Sequence, residues 1–342
     1  MHSSDELLLQ HCCALAWQHQ TLALPNPSVG ALVLAPNGEI LSSGVHIKAG
    51  DAHAEVIALR DAYYKLTQDK AIFQAKSPAA IHEYLLANHN GIFHQCSLYV
   101  SLEPCNHYGK TPPCALLIAK LKLAKVCIAT TEAHIKAAGG LAYLLAQHIN
   151  ASFMQTQMLN ANAKALLLPF ETLRNKGRFV LYKLAQRLDG SYKNGRISCE
   201  QSQVFTHNQR SVCDYICISG ATLRNDNPQL NARYATPPYD NSATPEVLIF
   251  SHHLKALPVA NPFLASRIHF SNNPKDIEDL EGFVIIEGGW NLLHTLRGYV
   301  DMLLIHQALI CAQGEDLRHT FSGDFKLMAS LNIGEDIALW LV

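Results

Sequence analysis

The sequence predicts an α/β chain divided into two domains, and three observations lead there. Its 342 residues exceed what one hydrophobic core usually holds. Short apolar runs of strand character alternate with helical stretches, as in sheets covered by helices. A polar, basic break at Arg174-Asn175-Lys176-Gly177-Arg178 separates two such series. The expected layout is a first domain over residues 1–150, a connecting strand, helix and linker over 151–177, and a second domain over 178–342.

Taken in order, Ser3 or Ser4 caps a first helix, with Asp5 and Glu6 in the first turn where the helix dipole favours acids. Leu8, Leu9, Cys12, Cys13, Leu15 and Ala16 give it an apolar face, and Pro25-Asn26-Pro27 stops it. Residues 29–34 read as a buried strand, Asn37-Gly38 as a hairpin turn and 39–45 as the returning strand. A helix starts around Asp51-Ala52-His53-Ala54-Glu55. Residues 64–95 look like an insertion of one or two helices with polar loops. A strand at 97–100 delivers Glu103-Pro104-Cys105 at its C-terminal end, where open α/β sheets place their ligands. Pro112-Pro113 sets the start of a helix over 114–121. A strand at 125–130 and a helix at 140–148 follow, so the first sheet is expected to be largely parallel. Residues 151–172 read as a strand and a helix ending at Leu168-Pro169-Phe170. Further strands are expected at 179–184, 215–219, 246–250, 268–271, 283–286, 301–309 and 337–342, with a helix at 292–296.

Lys and Arg number 27 against 28 Asp and Glu, a near-neutral balance that argues against a dedicated nucleic-acid binder. No apolar run approaches the length of a membrane span, and the opening stretch, with Asp5, Glu6 and His11, does not read as a signal peptide. A cytoplasmic enzyme with no membrane and no nucleic-acid partner is expected. In that setting ten cysteines point to metal binding and buried thiols before disulfides. Cys12, Cys13, Cys96, Cys127, Cys199, Cys213, Cys217 and Cys311 read as small core side chains.

Chemistry concentrates in a split cluster: His53-Ala54-Glu55, then Pro104-Cys105 and Pro113-Cys114. Zinc favours nitrogen and sulfur, and a catalytic zinc takes three protein ligands and leaves a fourth position for water. His53, Cys105 and Cys114 supply the three, and Glu55 is left over as a proton shuttle. Residues two apart do not share a helix face, so His53 and Glu55 reach one site only from a first turn. A purely structural zinc needs a fourth protein ligand, for which His107 is the candidate. The pattern H-x-E followed by P-C and a second Cys is that of zinc deaminases acting on nucleobases.

Three stretches resemble the bifunctional riboflavin-biosynthesis deaminase/reductase family: Pro25-Asn26-Pro27-Ser28-Val29-Gly30, residues 49–56 around His53 and Glu55, and residues 102–114 from Leu102 to Cys114. The resemblance implies an N-terminal cytidine-deaminase-like three-layer domain and a C-terminal dihydrofolate-reductase-like domain, with zinc and NADPH as cofactors. It implies hydrolysis of the 2-amino group of a phosphoribosylamino-diaminopyrimidinone, then reduction of its ribosyl group to ribityl. Asn26 would hold the pyrimidine, and His107 or Lys110 the phosphate. A plain turn residue is the other reading of Asn26.

In the second domain Lys183-Leu184, Leu188-Asp189-Gly190, Gly220 to Leu230 and Glu287-Gly288-Gly289 resemble the family's segments. The resemblance assigns Ser202, Arg210, Leu230, Arg233 and Glu287 to the substrate, and Ala185, Thr222, Asp226, Ser251, Gly288 and Gly289 to the cofactor. Arg210 and Arg233 are the candidates for its phosphate, since guanidinium suits that geometry. Arg187 before the Leu-Asp-Gly turn, Trp290-Asn291 after the two glycines and a shortened helix between Ser202 and Arg210 depart from the family's pattern. A homo-oligomer is expected by analogy. Two other readings remain at this point: a deaminase with a non-catalytic second domain, and a nucleic-acid-editing deaminase.

Overall fold

A computed structural model describes residues 4–109, 111–131, 139–154, 156–193, 195–312 and 321–342. Its contacts divide the chain into two compact units, Met1–Leu168 and Pro169–Val342.

The first unit runs α1 (Ser4–Trp17), β1 (Gly30–Leu34), β2 (Ile40–Val45), α2 (Ala54–Thr67), α3 (Pro78–Asn88), β3 (Ser97–Val100), α4 (Cys114–Leu121), β4 (Lys125–Ile128), α5 (Gly140–Ala146) and β5 (Asn150–Phe153). The strands line up as β2-β1-β3-β4-β5. β1 is antiparallel to both β2 and β3, whereas β3, β4 and β5 are parallel. The sheet is thus mixed, not largely parallel. A tight hairpin at Asn37-Gly38 can only join antiparallel strands, while helical crossovers set the other edge parallel.

Every residue of β1 is buried, which requires cover on both faces of the sheet. Helix α1 lies on one face, burying Leu9, Cys12, Cys13, Ala16 and Trp17. On the other, Ala31, Val33, Leu98 and Val100 pack with Ala58, Leu59 and Ala62 of α2 and Leu117 and Ile118 of α4. That is the three-layer arrangement expected. A side-chain carbon on Gly44 would collide with the backbone of Ala54 and Ala58. Glycine there lets α2, which carries site residues, lie flush on β2.

Helix α6 (Gln157–Lys176) contains Pro169 instead of ending there. Proline removes one intrahelical hydrogen bond. Burial of Leu159, Ala163, Leu166 and Leu167 on one side of it, and the Arg174 guanidinium 5.0 Å over the Phe170 ring on the other, hold the helix through the break.

The second unit continues with β6 (Arg178–Arg187), α7 (Glu200–Arg210), β7 (Tyr215–Ser219), α8 (Gly220–Asp226), β8 (Glu246–Phe250), β9 (Ile268–Ser271), β10 (Gly282–Glu287), α9 (Trp290–Leu296), β11 (Met302–Ala308), β12 (Leu327–Ile333) and β13 (Asp336–Leu341). Its sheet has the order β12-β13-β11-β6-β10-β7-β8-β9. Pairing is parallel from β11 to β9 and antiparallel at the β11-β13-β12 edge. Strand β12 escapes the sequence pattern because it is an edge strand whose residues are mostly exposed or half-buried. Helix α7 makes three turns over 11 residues, Glu200–Arg210, and carries both Ser202 and Arg210.

One sheet face, with Val180, Tyr182, Leu184, Ile286 and Ile305, packs on Leu293 and Leu296 of α9. Strand alternation turns Lys183, Ala185, Glu287 and His306 to the opposite face, where α7 lies, with Phe205 against His306 and Trp340. Two cysteines differ from the expected core role: Cys311 is exposed and Cys199 is half-buried. No helix among the described residues is long and apolar enough to cross a membrane.

Candidate functional site

Two helix N-termini and one strand end build the first cluster. His53 is the N-cap of α2, with extended backbone at φ −69° and ψ 160°. Glu55 follows in the first turn, the one place from which both residues can address a single point. Cys105 leaves the sheet beyond the C-terminal end of β3, and Cys114 opens α4 behind Pro113. Proline suits that start because its missing N–H would be unpaired there anyway. The Cys114 amide donates to Cys105 Sγ at 3.4 Å, and the Ala115 amide to the Cys105 carbonyl at 3.1 Å. These bonds stitch the ligand loop to the helix.

His53 Nδ1 stands 3.6 Å from Cys105 Sγ and 3.4 Å from Cys114 Sγ, and the three ligand atoms all lie within 4.8 Å of one another. Ligands sharing one tetrahedral zinc at ordinary bond lengths stand roughly 3.3–3.8 Å apart, so the donor set fits that ion. Thr111 Oγ1 is 3.4 Å from His53 Nε2 and steadies the ring from behind.

The electrostatics split the thiol pair. The Cys105 thiol is pulled down, chiefly by the hydrogen bond with Cys114 and then by His53, whereas that same hydrogen bond and burial push the Cys114 thiol up. Thiolate is the form that binds metal. Glu55 is 4% exposed, and burial raises its carboxyl above the usual range. A carboxyl raised in this way holds a proton more readily than an exposed one, as a proton carrier must.

Behind the cluster, His46 Nδ1 donates to the Ala52 carbonyl at 3.1 Å, which leaves Nε2 to accept from Asn26 Nδ2 at 3.0 Å. Burial first, then the charge of His53, lowers His46 to about 4, so its ring is neutral. The His46 and His53 rings meet edge-on at 5.1 Å. Asn26 is therefore more than a turn residue: it is tied to the cluster through His46. His107 is exposed, and Lys110 lies outside the described residues. Sequence reasoning missed His46 and Thr111. Thr111 sits within the Cys-to-Cys loop and was open to notice, but nothing local marks His46.

In the second unit the candidates gather at the C-terminal ends of neighbouring parallel strands. Lys183 and Ala185 lie on β6, Glu287-Gly288-Gly289 ends β10, Thr222 follows β7 and Ser251 follows β8. Ligands of open α/β sheets bind at such an edge. Ser251 Oγ accepts from the His253 and Leu254 amides, and the Thr222 amide donates to Ser219 Oγ. Asp226 is exposed at the end of α8. The Gly289 carbonyl accepts from Tyr182 Oη at 2.7 Å.

Arg210 is not a free phosphate clamp. Its Nε and Nη2 donate to the two carboxylate oxygens of Glu287 at 2.7 and 2.6 Å. Burial alone would raise the Glu287 carboxyl. Arg210's charge and hydrogen bonds, with Lys183 and His207, instead hold it down at about 2. Arg233 is exposed, with its guanidinium 4.8 Å over the Tyr234 ring. Leu230 adopts a left-handed φ of +49° and is buried, with its carbonyl bonded by Arg267. Ser202 is fully buried. Lys183 was read only as part of its strand. A lone lysine inside Phe179-Val180-Leu181-Tyr182-Lys183-Leu184 was the available signal.

The first unit is thus a zinc-binding domain of the cytidine-deaminase class: residues 2–130 match the model of the cytidine and deoxycytidylate deaminase zinc-binding region. By its sequence the chain is similar to the riboflavin biosynthesis proteins called RibD. The RibD of Haemophilus influenzae is 33% identical over 239 residues, 68% of this chain and 56% of that relative. That of Corynebacterium ammoniagenes is 27% identical over 342 residues, 95% of this chain and 93% of the relative. The chain thus spans only a little over half of the Haemophilus protein but nearly all of the Corynebacterium one. Among solved structures, the Thermotoga maritima diaminohydroxyphosphoribosylaminopyrimidine deaminase/5-amino-6-(5-phosphoribosylamino)uracil reductase superposes with a TM-score of 0.63 at 21% identity, covering 98% of each chain. Acinetobacter baumannii RibD gives 0.59 at 21% identity, covering 99% of this chain and 98% of its own. At that identity the likeness speaks for the fold, and it extends over both units.

Proposed function

We propose that the chain carries out two consecutive steps of riboflavin biosynthesis. The first unit hydrolyses the 2-amino group of 2,5-diamino-6-(5-phosphoribosylamino)pyrimidin-4-one. The second reduces the ribosyl side chain to ribityl with NADPH. The observation that carries the reading is the convergence of His53, Cys105 and Cys114 with buried Glu55 in the first turn of α2.

In the first step a water adds to the amidine carbon, the carbon–nitrogen bond breaks, and ammonia leaves. His53, Cys105 and Cys114 would hold a zinc, which when bound would supply Lewis-acid activation of that water. Glu55 takes a first proton from the water and passes it to the ring nitrogen, then carries the second proton, from the hydroxyl now on carbon, to the departing amine, leaving a carbonyl and ammonia. Asn26, held by neutral His46, hydrogen-bonds the pyrimidine edge, and Lys110 or His107 meets the phosphate. The exposure of His107 suits a ligand group that stays partly in water.

In the second unit NADPH supplies the hydride. Ala185, Thr222, Asp226, Ser251, Gly288 and Gly289 form its candidate cradle at the strand ends. Since Glu287 occupies the fork of Arg210, Arg233 is the better phosphate ligand, with Ser202 and Leu230 shaping the wall. The alignment with the Corynebacterium relative runs through both units, which favours two activities over a deaminase with an inert second domain. A phosphorylated small molecule as substrate, a cytoplasmic setting and a homo-oligomeric state complete the proposal. Purified zinc-loaded chain given the diaminopyrimidinone ribotide should release ammonia without NADPH, and oxidise NADPH only after that release. Absence of ammonia would overturn the first step. Ammonia without NADPH oxidation would overturn the second.

A further inference from the structure

We propose that His306 is a positioning residue for the ligand site of the second unit, standing behind Lys183 and Glu287 and retained there at a cost in stability. The proposal rests on the reductase reading above but is tested partly apart from it.

His306 lies on β11, near the centre of the sheet, and is fully buried. Among the described residues neither ring nitrogen has a hydrogen-bond partner. Buried polar side chains are nearly always paired, and an orphan marks a site where function outweighs stability. The surroundings are specific. In register, Ala185 of β6 and Ala338 of β13 flank His306 on the two neighbouring strands. Both flanking side chains are small, and neither offers the imidazole a polar partner. Ala185 is itself a cofactor candidate. Two residues along β6 on the same face is Lys183, which pairs directly with Glu287 on β10. Among the described residues no hydrogen bond reaches the Lys183 amine either, and both Lys183 and Glu287 act electrostatically on His306. Phe205 of α7, 6.2 Å from the imidazole, closes the far side. Lys183 and Glu287 thus have beside them a neutral ring that can accept or donate, flanked in register by two alanines and faced by Phe205. Simple packing would be served better by leucine.

The experiment compares full-length wild type with His306→Leu and His306→Gln. Calorimetry gives Tm, NADPH titration by fluorescence gives Kd, and NADPH oxidation with the deaminated ribotide gives KM and kcat. The leucine variant should melt higher while kcat/KM falls about tenfold. Glutamine, which keeps a donor and an acceptor, should recover most of that loss. A leucine variant with higher Tm and with Kd, KM and kcat all within about twofold of wild type overturns the proposal. So does one with lower Tm, since the imidazole would then be a packing element. If wild type binds NADPH but does not turn over, the reductase reading falls, and an NADPH Kd altered in leucine and restored in glutamine decides for His306, an unaltered one against it.

Discussion

The two candidate sites are assembled in opposite ways. In the first unit, three ligands and the proton carrier come from two short stretches, and each sits at a helix N-terminus or a strand end. Spacing within each stretch is local, and the two stretches meet across 52 and 61 residues, where His53 Nδ1 stands 3.6 and 3.4 Å from the two sulfurs. In the second unit the polar residues come singly from β6, α7, β10 and β11 and meet only because the strands are in register. Its strongest contact, the ion pair of Arg210 with Glu287, joins residues 77 apart in sequence. A metal concentrates chemistry on a few donors of fixed type, so its site can be compact. A hydride-transfer site is mostly positioning, which a sheet edge spreads over many elements.

The largest expected effect would separate the two sites outright. Stripping metal with a chelator should abolish ammonia release and leave NADPH oxidation on deaminated substrate unchanged, as parallel assays on one preparation would show. Loss of both activities would mean that the units are not independent. Next, Glu55→Gln should cut deamination by roughly 10²–10⁴-fold with bound zinc unaltered by elemental analysis. Near wild-type turnover would remove Glu55 from the mechanism.

In the second unit the corresponding break is energetic. Arg210→Met leaves Glu287 buried without its partner and should destabilise the protein by about 3–5 kcal/mol in denaturant unfolding. Adding Glu287→Leu should restore much of that. A smaller effect concerns acid. Glu287 is held at about 2 in the folded chain, below its usual 4.5. A depressed carboxyl contributes stability that is full above 4.5 and is lost as pH falls towards 2. Glu287→Gln should flatten that part of the melting profile. Smallest is Asn26→Ala, which takes a partner from His46 and should raise KM for the ribotide about tenfold with a lesser change in kcat.

Some of this was legible in the residues. Pro104-Cys105 and Pro113-Cys114 point to a candidate metal site because cysteines beside prolines at element boundaries are held rigid. Asn37-Gly38 announced its hairpin through backbone conformation alone. By contrast, Pro169 read as a helix end, yet burial on one flank and the Arg174–Phe170 contact on the other carry α6 through it. The shape of the first sheet was misjudged because alternation of elements counts strands but not their directions.

What the chain's order of residues announced by itself was an α/β chain in two parts and a His/Cys/Cys candidate metal set, since element alternation and the two short motifs can be read locally. What only the tertiary structure decided was the partner of each lone polar residue. Asn26 meets His46, Arg210 is engaged by Glu287, and His306 is left unpaired beside Lys183. The reason is physical. A ligand set at helix ends is specified by local backbone geometry, but a side chain on a strand finds its neighbours through register, which depends on every strand of the sheet at once.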